Sequence, residues 1–176
     1  MLGDLKVIGP NAVIRRNIAA GGTAISAGEP LTAAITSSSG AASANVMALA
    51  AADLPVVSSG NYRFGGIAIK TALLAAAGTT NAQKLPCACP VPFIGKLRGI
   101  AETKANIDTA AELLAIIGDF TLIDYNATGA SDGGELYTIK DTASADTSGL
   151  EIVDGNIARG ELDVVCDADV YRFDRS

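Results

Sequence analysis

The chain has 176 residues, enough for one domain with a real core; 49% are apolar but only 5% aromatic, and Trp and His are absent. The lack of histidine excludes Ser-His-Asp and Cys-His centres, histidine metal sites and the side chain that titrates nearest neutrality. The formal charge of -6 argues against a nucleic-acid surface and is unevenly spread, with eight basic and three acidic residues through Gly99 but five basic and sixteen acidic beyond it. Two portions so divided predict one basic and one acidic face, if they fold to different sides.

In chain order, LKVIGPNAVIRRNIAAGG holds short β-branched runs broken by Gly9-Pro10, and TAISAGEPLTAAI has two more around Gly28-Glu29-Pro30. Both predict extended chain with turns. TSSSGAASAN has no periodicity and reads as a loop, while VMALAAADLP reads as one or two helical turns before Pro55. GGIAIK reads as a buried strand, with Gly65 and Gly66 permitting a bulge. Residues 78–83 read as a loop. In KLPCACPVPFIGKLRGIA, Pro86, Pro90 and Pro92 exclude helix and confine any strand to a sheet edge.

One helix is expected near residues 108–117. NIDTAAELLAIIGD offers Asp108 as N-cap, Glu112 in the next turn, apolar Leu113, Leu114, Ile116 and Ile117, and Gly118 as the stop. Beyond it, FTLIDY, ELYTIK, LEIV, ELDVVC and DVYRF alternate with turn-rich connectors, the texture of a meander, sandwich or barrel. The fold class expected is mainly β, a β-sandwich or a β-barrel or tulip-like body, with one short helix and an extended N-terminal segment. Residues 1–20 are read as an arm or edge strand and 21–176 as a single mainly β domain.

The residues that carry chemistry are sparse. Cys87, Cys89 and Cys166 are odd in number, and Cys-Ala-Cys lacks the spacer and second pair of a zinc site, so buried thiols are expected. GGIAIK superficially matches a kinase Val-Ala-Ile-Lys element, but a chain without histidine has no His-Arg-Asp loop, and no phosphate-binding glycine motif is present. Asp132, Glu135, Asp141 and Asp146 fall in loops without EF-hand spacing, and Asp167 and Asp169 are weaker cation candidates. Within ELDVVC, Glu161, Asp163 and Val165 share one side and Leu162, Val164 and Cys166 the other, which predicts acids on the solvent face of a hairpin joined by DGNIARG, with Asp154 in the turn. No catalytic residue, metal or cofactor is expected. The N-terminal residues lack the pattern of a secretory signal, and no apolar run reaches the ~20 residues that cross a bilayer, so a soluble chain made in the cytoplasm, with no membrane partner, is expected.

RRNIAAGGTAISAGEPL, DLPVVSSGNYRFGGIAIKTA, NIDTAAELLAIIGD, the Tyr-Thr-Ile strand of GELYTIKD, and GLEIVDGNIARGELDVV together resemble small virion proteins of tailed bacteriophages, most closely capsid decoration or cement proteins. That resemblance implies a β-rich, often trimeric structural protein on the outer capsid surface. Its partner would be the major capsid protein, reached through an N-terminal arm. Val13, Ile14, Arg15, Arg16 and Asn17 are the residues expected at the contact with the shell. The alternatives are a tail-tube or head-tail connector component, and a small cation- or glycan-binding module built on the acidic loops.

Overall fold

The computed structural model describes residues 5–18, 25–34, 45–48, 62–71, 84–125, 137–143 and 149–167. In chain order the strands are β1 (Lys6–Ile8), β2 (Asn11–Ile18), β3 (Pro30–Ala34), β4 (Asn45–Ala48), β5 (Tyr62–Ala68), β6 (Lys84–Pro90), β7 (Lys96–Ile100), β8 (Ile123–Tyr125), β9 (Tyr137–Ile139), β10 (Leu150–Asn156) and β11 (Glu161–Cys166). A single α-helix, α1 (Ala110–Ile116), lies between β7 and β8 among the described residues. The fold is mixed and mostly strand, as expected. TSSSGAASAN (except Asn45), residues 78–83 and DVYRF lie outside the described residues, and NVMA forms β4 where helical turns were expected. There β4 gains a full antiparallel ladder against β3, from Leu31↔Ala48 to Ala33↔Val46, so tertiary pairing overrides local propensity.

Two strand systems share one apolar interior. The first is an antiparallel sheet in the order β1-β7-β11-β10. The second pairs in the cyclic order β2-β4-β3-β5-β6. Its seams are short: β2 meets β4 over Asn17↔Asn45 and Ile18↔Val46, and β5 meets β6 over Ile67↔Ala88 and Ala68↔Cys87. Seams of this length do not impose the continuous tilt and stagger of a barrel, and no sheet is markedly curled. The barrel or tulip-like expectation is therefore corrected to a ring of pairings without a rolled body. A separate two-stranded ribbon, β8 with β9, completes the fold.

Alternation sets the first sheet's inner face. Leu97, Leu150, Ile152, Leu162, Val164 and Cys166 are all fully buried there. Between them stand two glycines that make room for other layers. A Cβ on Gly99 would collide with Leu5 Cδ2 and press on Ile139, and a Cβ on Gly155 would lie 2.7 Å from Leu113 Cδ1 and 2.9 Å from the Glu161 carbonyl oxygen. Leu5, the β9 ribbon and α1 thus pack closely because the sheet is locally bare. A register shift between Ile152 and Asp154 leaves Val153 as a bulge, which turns Asp154 outward and Gly155 inward. Asp154 is accordingly in β10 and not in the turn; the turn is the 3-10 segment Ile157–Arg159, closed by left-handed Gly160.

Helix α1 begins one residue later than expected. Thr109, not Asp108, is the N-cap: its Oγ1 accepts from the Glu112 N–H at 3.3 Å while Glu112 Oε2 accepts from the Thr109 N–H at 3.0 Å, a reciprocal capping box. Asp108 instead ends the preceding 3-10 turn, Lys104–Ile107. Of the helix's apolar residues Leu113 is buried and Ile116 half-buried, whereas Leu114 and Ile117 face solvent. The left-handed Gly118 follows, as its place in the sequence suggested.

Strand β6 corrects the edge expectation, since it pairs with β2 along Asn11↔Pro90 to Asn17↔Lys84 and also touches β5. The Pro86 carbonyl accepts from the Ile69 N–H at 2.9 Å, so Pro86 and, by alternation, Pro90 aim toward β5. That ladder is only two residue pairs long, so the missing proline N–H groups fall beside it. The expected bulge is present in β5, where Leu31↔Gly66 is followed by Thr32↔Phe64.

Replacing Gly155 by Ala should lower stability by about 1–3 kcal/mol, because Leu113 must give way and the Glu161 backbone cannot. Urea denaturation compares the variant with wild type; equal midpoints would mean that α1 does not rest on this glycine.

Candidate functional site

The acids that looked like an exposed face are organised differently. Asp163 lies in mid-strand β11 at 3% exposure, opposite Arg98 on β7 and Asp154 on β10. Arg98 Nε–H donates to Asp163 Oδ1 at 2.6 Å and its Nη2–H to Oδ2 at 2.9 Å, a two-pronged pair. Lys96 Nζ lies 3.4 Å from Asp163 Oδ2 and 3.5 Å from Asp154 Oδ2, which offsets the repulsion of two acids set directly opposite. The solvent-face expectation therefore fails for Asp163, and Val165 beside it is also buried; Glu151 and Glu161 are half-buried. Burial raises the Asp163 carboxyl, but the Arg98 hydrogen bonds and charge, with Lys96, outweigh it and hold it below its ordinary value. The first sheet thus joins basic residues of the early chain to acids of the late chain, so at this place the two charge portions intermix and form no separate faces.

Two other acids are buried and engaged. Glu29 accepts from the Ser26 N–H at 2.8 Å and from the Tyr137 O–H at 3.2 Å, tying the turn before β3 to β9. Asp141 accepts from the Thr103 N–H at 2.8 Å and from Asn106 Nδ2 at 3.3 Å, closing the start of the 3-10 turn. Asp141 is thereby occupied as a structural acceptor. Asp132, Glu135, Asp146 and Asp169 lie outside the described residues, and Asp167 is half-buried against Gly149. Among the described residues no group of three or more Cys, Asp or Glu is arranged to hold a metal ion. No described helix is long and apolar enough to cross a membrane.

All three cysteines are buried thiols. Cys87 and Cys89 point inward from β6 with Leu85, and Cys166 ends β11. Burial, with Cys89 and Asp167 nearby, pushes the Cys166 thiol far up, which leaves it protonated and unreactive at neutral pH.

The residues expected at the shell contact lie on β2, whose backbone is paired with β6 from Asn11 to Asn17. Val13 is 60% exposed and Arg15 is exposed, while Ile14 turns inward and packs against the core. Backbones of Arg16 and Asn17 pair with Leu85 and Lys84; their side chains lie outside the described residues. The outward row Asn11, Val13, Arg15 thus stands beside buried Pro90 and half-buried Ala88 and Pro86, giving an uncharged surface with an exposed valine and a basic end.

Sequence reasoning passed over the connection from β6 to β7. Phe93 has φ 62°, the left-handed region, and is the one non-glycine residue there among those described. That conformation costs a bulky L-residue about 1–2 kcal/mol. It is held by backbone bonds: Val91 N–H to the Pro10 carbonyl at 3.0 Å, Phe93 N–H to the Cys166 carbonyl at 3.1 Å, and Gly95 N–H to the Val91 carbonyl at 2.7 Å. Gly95 is packed so tightly beneath Pro10 and Val91 that no Cβ fits. Phe93 and Ile94 are nevertheless 64% and 63% exposed. The only available signal was two adjacent large apolar residues between Pro92 and Gly95 in a chain poor in aromatics.

Because the folded Asp163 carboxyl titrates below its unfolded value of about 3.9, its stabilisation is complete above that value and is lost as pH falls through the lower folded one. Asp163→Asn should cost about 1–3 kcal/mol near neutrality, less than a wholly buried pair because its cationic partners stay partly in water. Urea denaturation across the acid range should show that cost shrinking below about pH 4; a difference that persists undiminished down to pH 2 would contradict the pairing. Comparisons of the chain with protein-family models, curated proteins and solved structures gave no match.

Proposed function

We propose that this chain is a structural virion protein that binds the outer surface of a phage head and reinforces contacts between major capsid protein subunits, acting as a homotrimer. The observation that carries the proposal is the outward row of β2. Val13 and Arg15 are presented to solvent from a strand fixed along its length by β6 and anchored inward by Ile14. A side chain held on a paired strand loses little freedom on docking, and an apolar surface with a cationic end suits an acidic protein shell. The segments that resemble decoration proteins include this strand. We also read the two strand systems as the layers of a sandwich-like body, since one cluster of buried side chains, from Leu5 to Cys166, runs through both. Such a body needs no turnover chemistry, and the buried acids and thiols serve it as internal acceptors and core.

Mixing purified protein with undecorated heads tests this reading by co-sedimentation. Saturable binding at low and moderate salt is expected, with Arg15→Glu weakening it by about tenfold, as loss and reversal of one interface charge commonly does. Absence of binding at both salts would overturn the reading, and six-membered rings or tubes on sizing would move the chain to the tail.

A further inference from the structure

We propose that Phe93 and Ile94 form a preorganised apolar prong that seats in an apolar pocket of the protein surface on which this chain docks; the inference rests on the virion reading above. Three observations carry it. First, the two side chains are adjacent, large, apolar and mostly in solvent, although the chain holds only four Phe residues. Solvent exposure of such a pair is unfavourable unless something covers it. Second, the backbone beneath them is fixed in a conformation that Phe resists, by hydrogen bonds to Pro10 in the β1–β2 connection and to Cys166 at the end of β11. Backbone strain retained under that much support, with the side chain turned away from the core, is the pattern of a presented group. A rigid prong gives up little entropy on insertion.

Third, charge selects the partner. Pro90 through Gly95 contains no charged residue. The nearest cations in β7, Lys96 and Arg98, are already bound to Asp154 and Asp163. With no charge of its own and the β7 cations engaged within the fold, the loop itself offers no charged group to phosphate headgroups or to a nucleic-acid backbone. What it offers is an aromatic ring and a branched aliphatic group, the composition that anchors protein interfaces in desolvated pockets. Its position adjoins the proposed contact row, because Pro10 and Asn11 at the start of β2 meet the same loop through Val91 and Pro90. The prong thus extends the β2 surface at its uncharged end.

The test uses Phe93→Gly, which accepts the left-handed backbone without strain while removing the ring, with Ile94→Ser as a second variant. Leu114→Ser on α1 is the control, since Leu114 is comparably exposed at 69%. Phe93→Gly is expected to melt at or above the wild-type temperature and to bind undecorated heads at least tenfold more weakly; Ile94→Ser should weaken binding in the same direction, and Leu114→Ser should bind as wild type. If wild type binds and Phe93→Gly binds equally well, the prong is overturned while the virion reading stands. Failure of wild type itself to bind overturns that reading and the prong's partner with it. Equal losses in Phe93→Gly and Leu114→Ser would mean general surface stickiness and would also overturn the prong. So would ring-dependent binding to phosphatidylcholine vesicles, or ring-dependent self-association on sedimentation without heads.

Discussion

The buried carboxylate of Asp163 constrains much of the fold. A lone carboxylate at that depth is strongly unfavourable, and only the matched fork of Arg98, with Lys96 alongside, makes it tolerable. The pairing requires β7 and β11 to meet with Asp163 opposite Arg98. A slip of one residue would turn the acid into the apolar interior. With that register set, Gly99 lies opposite Leu162, where Leu5 and Ile139 close over it. On the other side, the Val153 bulge sends Asp154 out toward Lys96 and brings Gly155 beneath Leu113. Leu5, the ribbon and the helix are thus docked onto one sheet whose register is tied to one ion-paired row.

Much of this was legible in the residues, and the failures have physical causes. Alternation in ELDVVC correctly separates Leu162, Val164 and Cys166 from Glu161, Asp163 and Val165. It says nothing of what lies beyond each face, and the cations that cover Asp163 come from a strand more than sixty residues earlier. The bulge at Val153 leaves no mark in the local pattern, so Asp154 reads as turn. The helix was found but its cap was displaced by one residue, because Asp108 and Thr109 are both good N-caps and only the Thr109–Glu112 spacing completes a capping box. For β6, prolines argued for an edge; their fit depends on which neighbour each nitrogen faces, and that is decided by pairing distant in sequence. In β2 the sequence offered Val13 to Asn17 without distinguishing sides, and pairing turns Ile14 inward; Phe93 was not legible, since an apolar residue between proline and glycine reads equally as buried.

In the proposed role, function is a matter of presentation. Among the described residues, several acids and the thiols that first invite a chemical reading are engaged inside the fold: Glu29 accepts from Tyr137, Asp141 closes a 3-10 turn, Asp163 joins strands and the cysteines fill core. Among the groups that face outward are Val13 and Arg15 on β2 and the Phe93-Ile94 tip beside its start. In the proposed role, a basic residue at one end and an uncharged prong at the other would give such a surface both orientation and an anchor.

The most direct test of the proposed role is to image heads mixed with the purified protein at a resolution that separates side chains. Density for this chain on the outer shell is expected, with the β2 row against capsid subunits and Phe93 enclosed by apolar side chains. Density confined to the tail, or a docked chain whose β2 and Phe93 both face solvent, would contradict it.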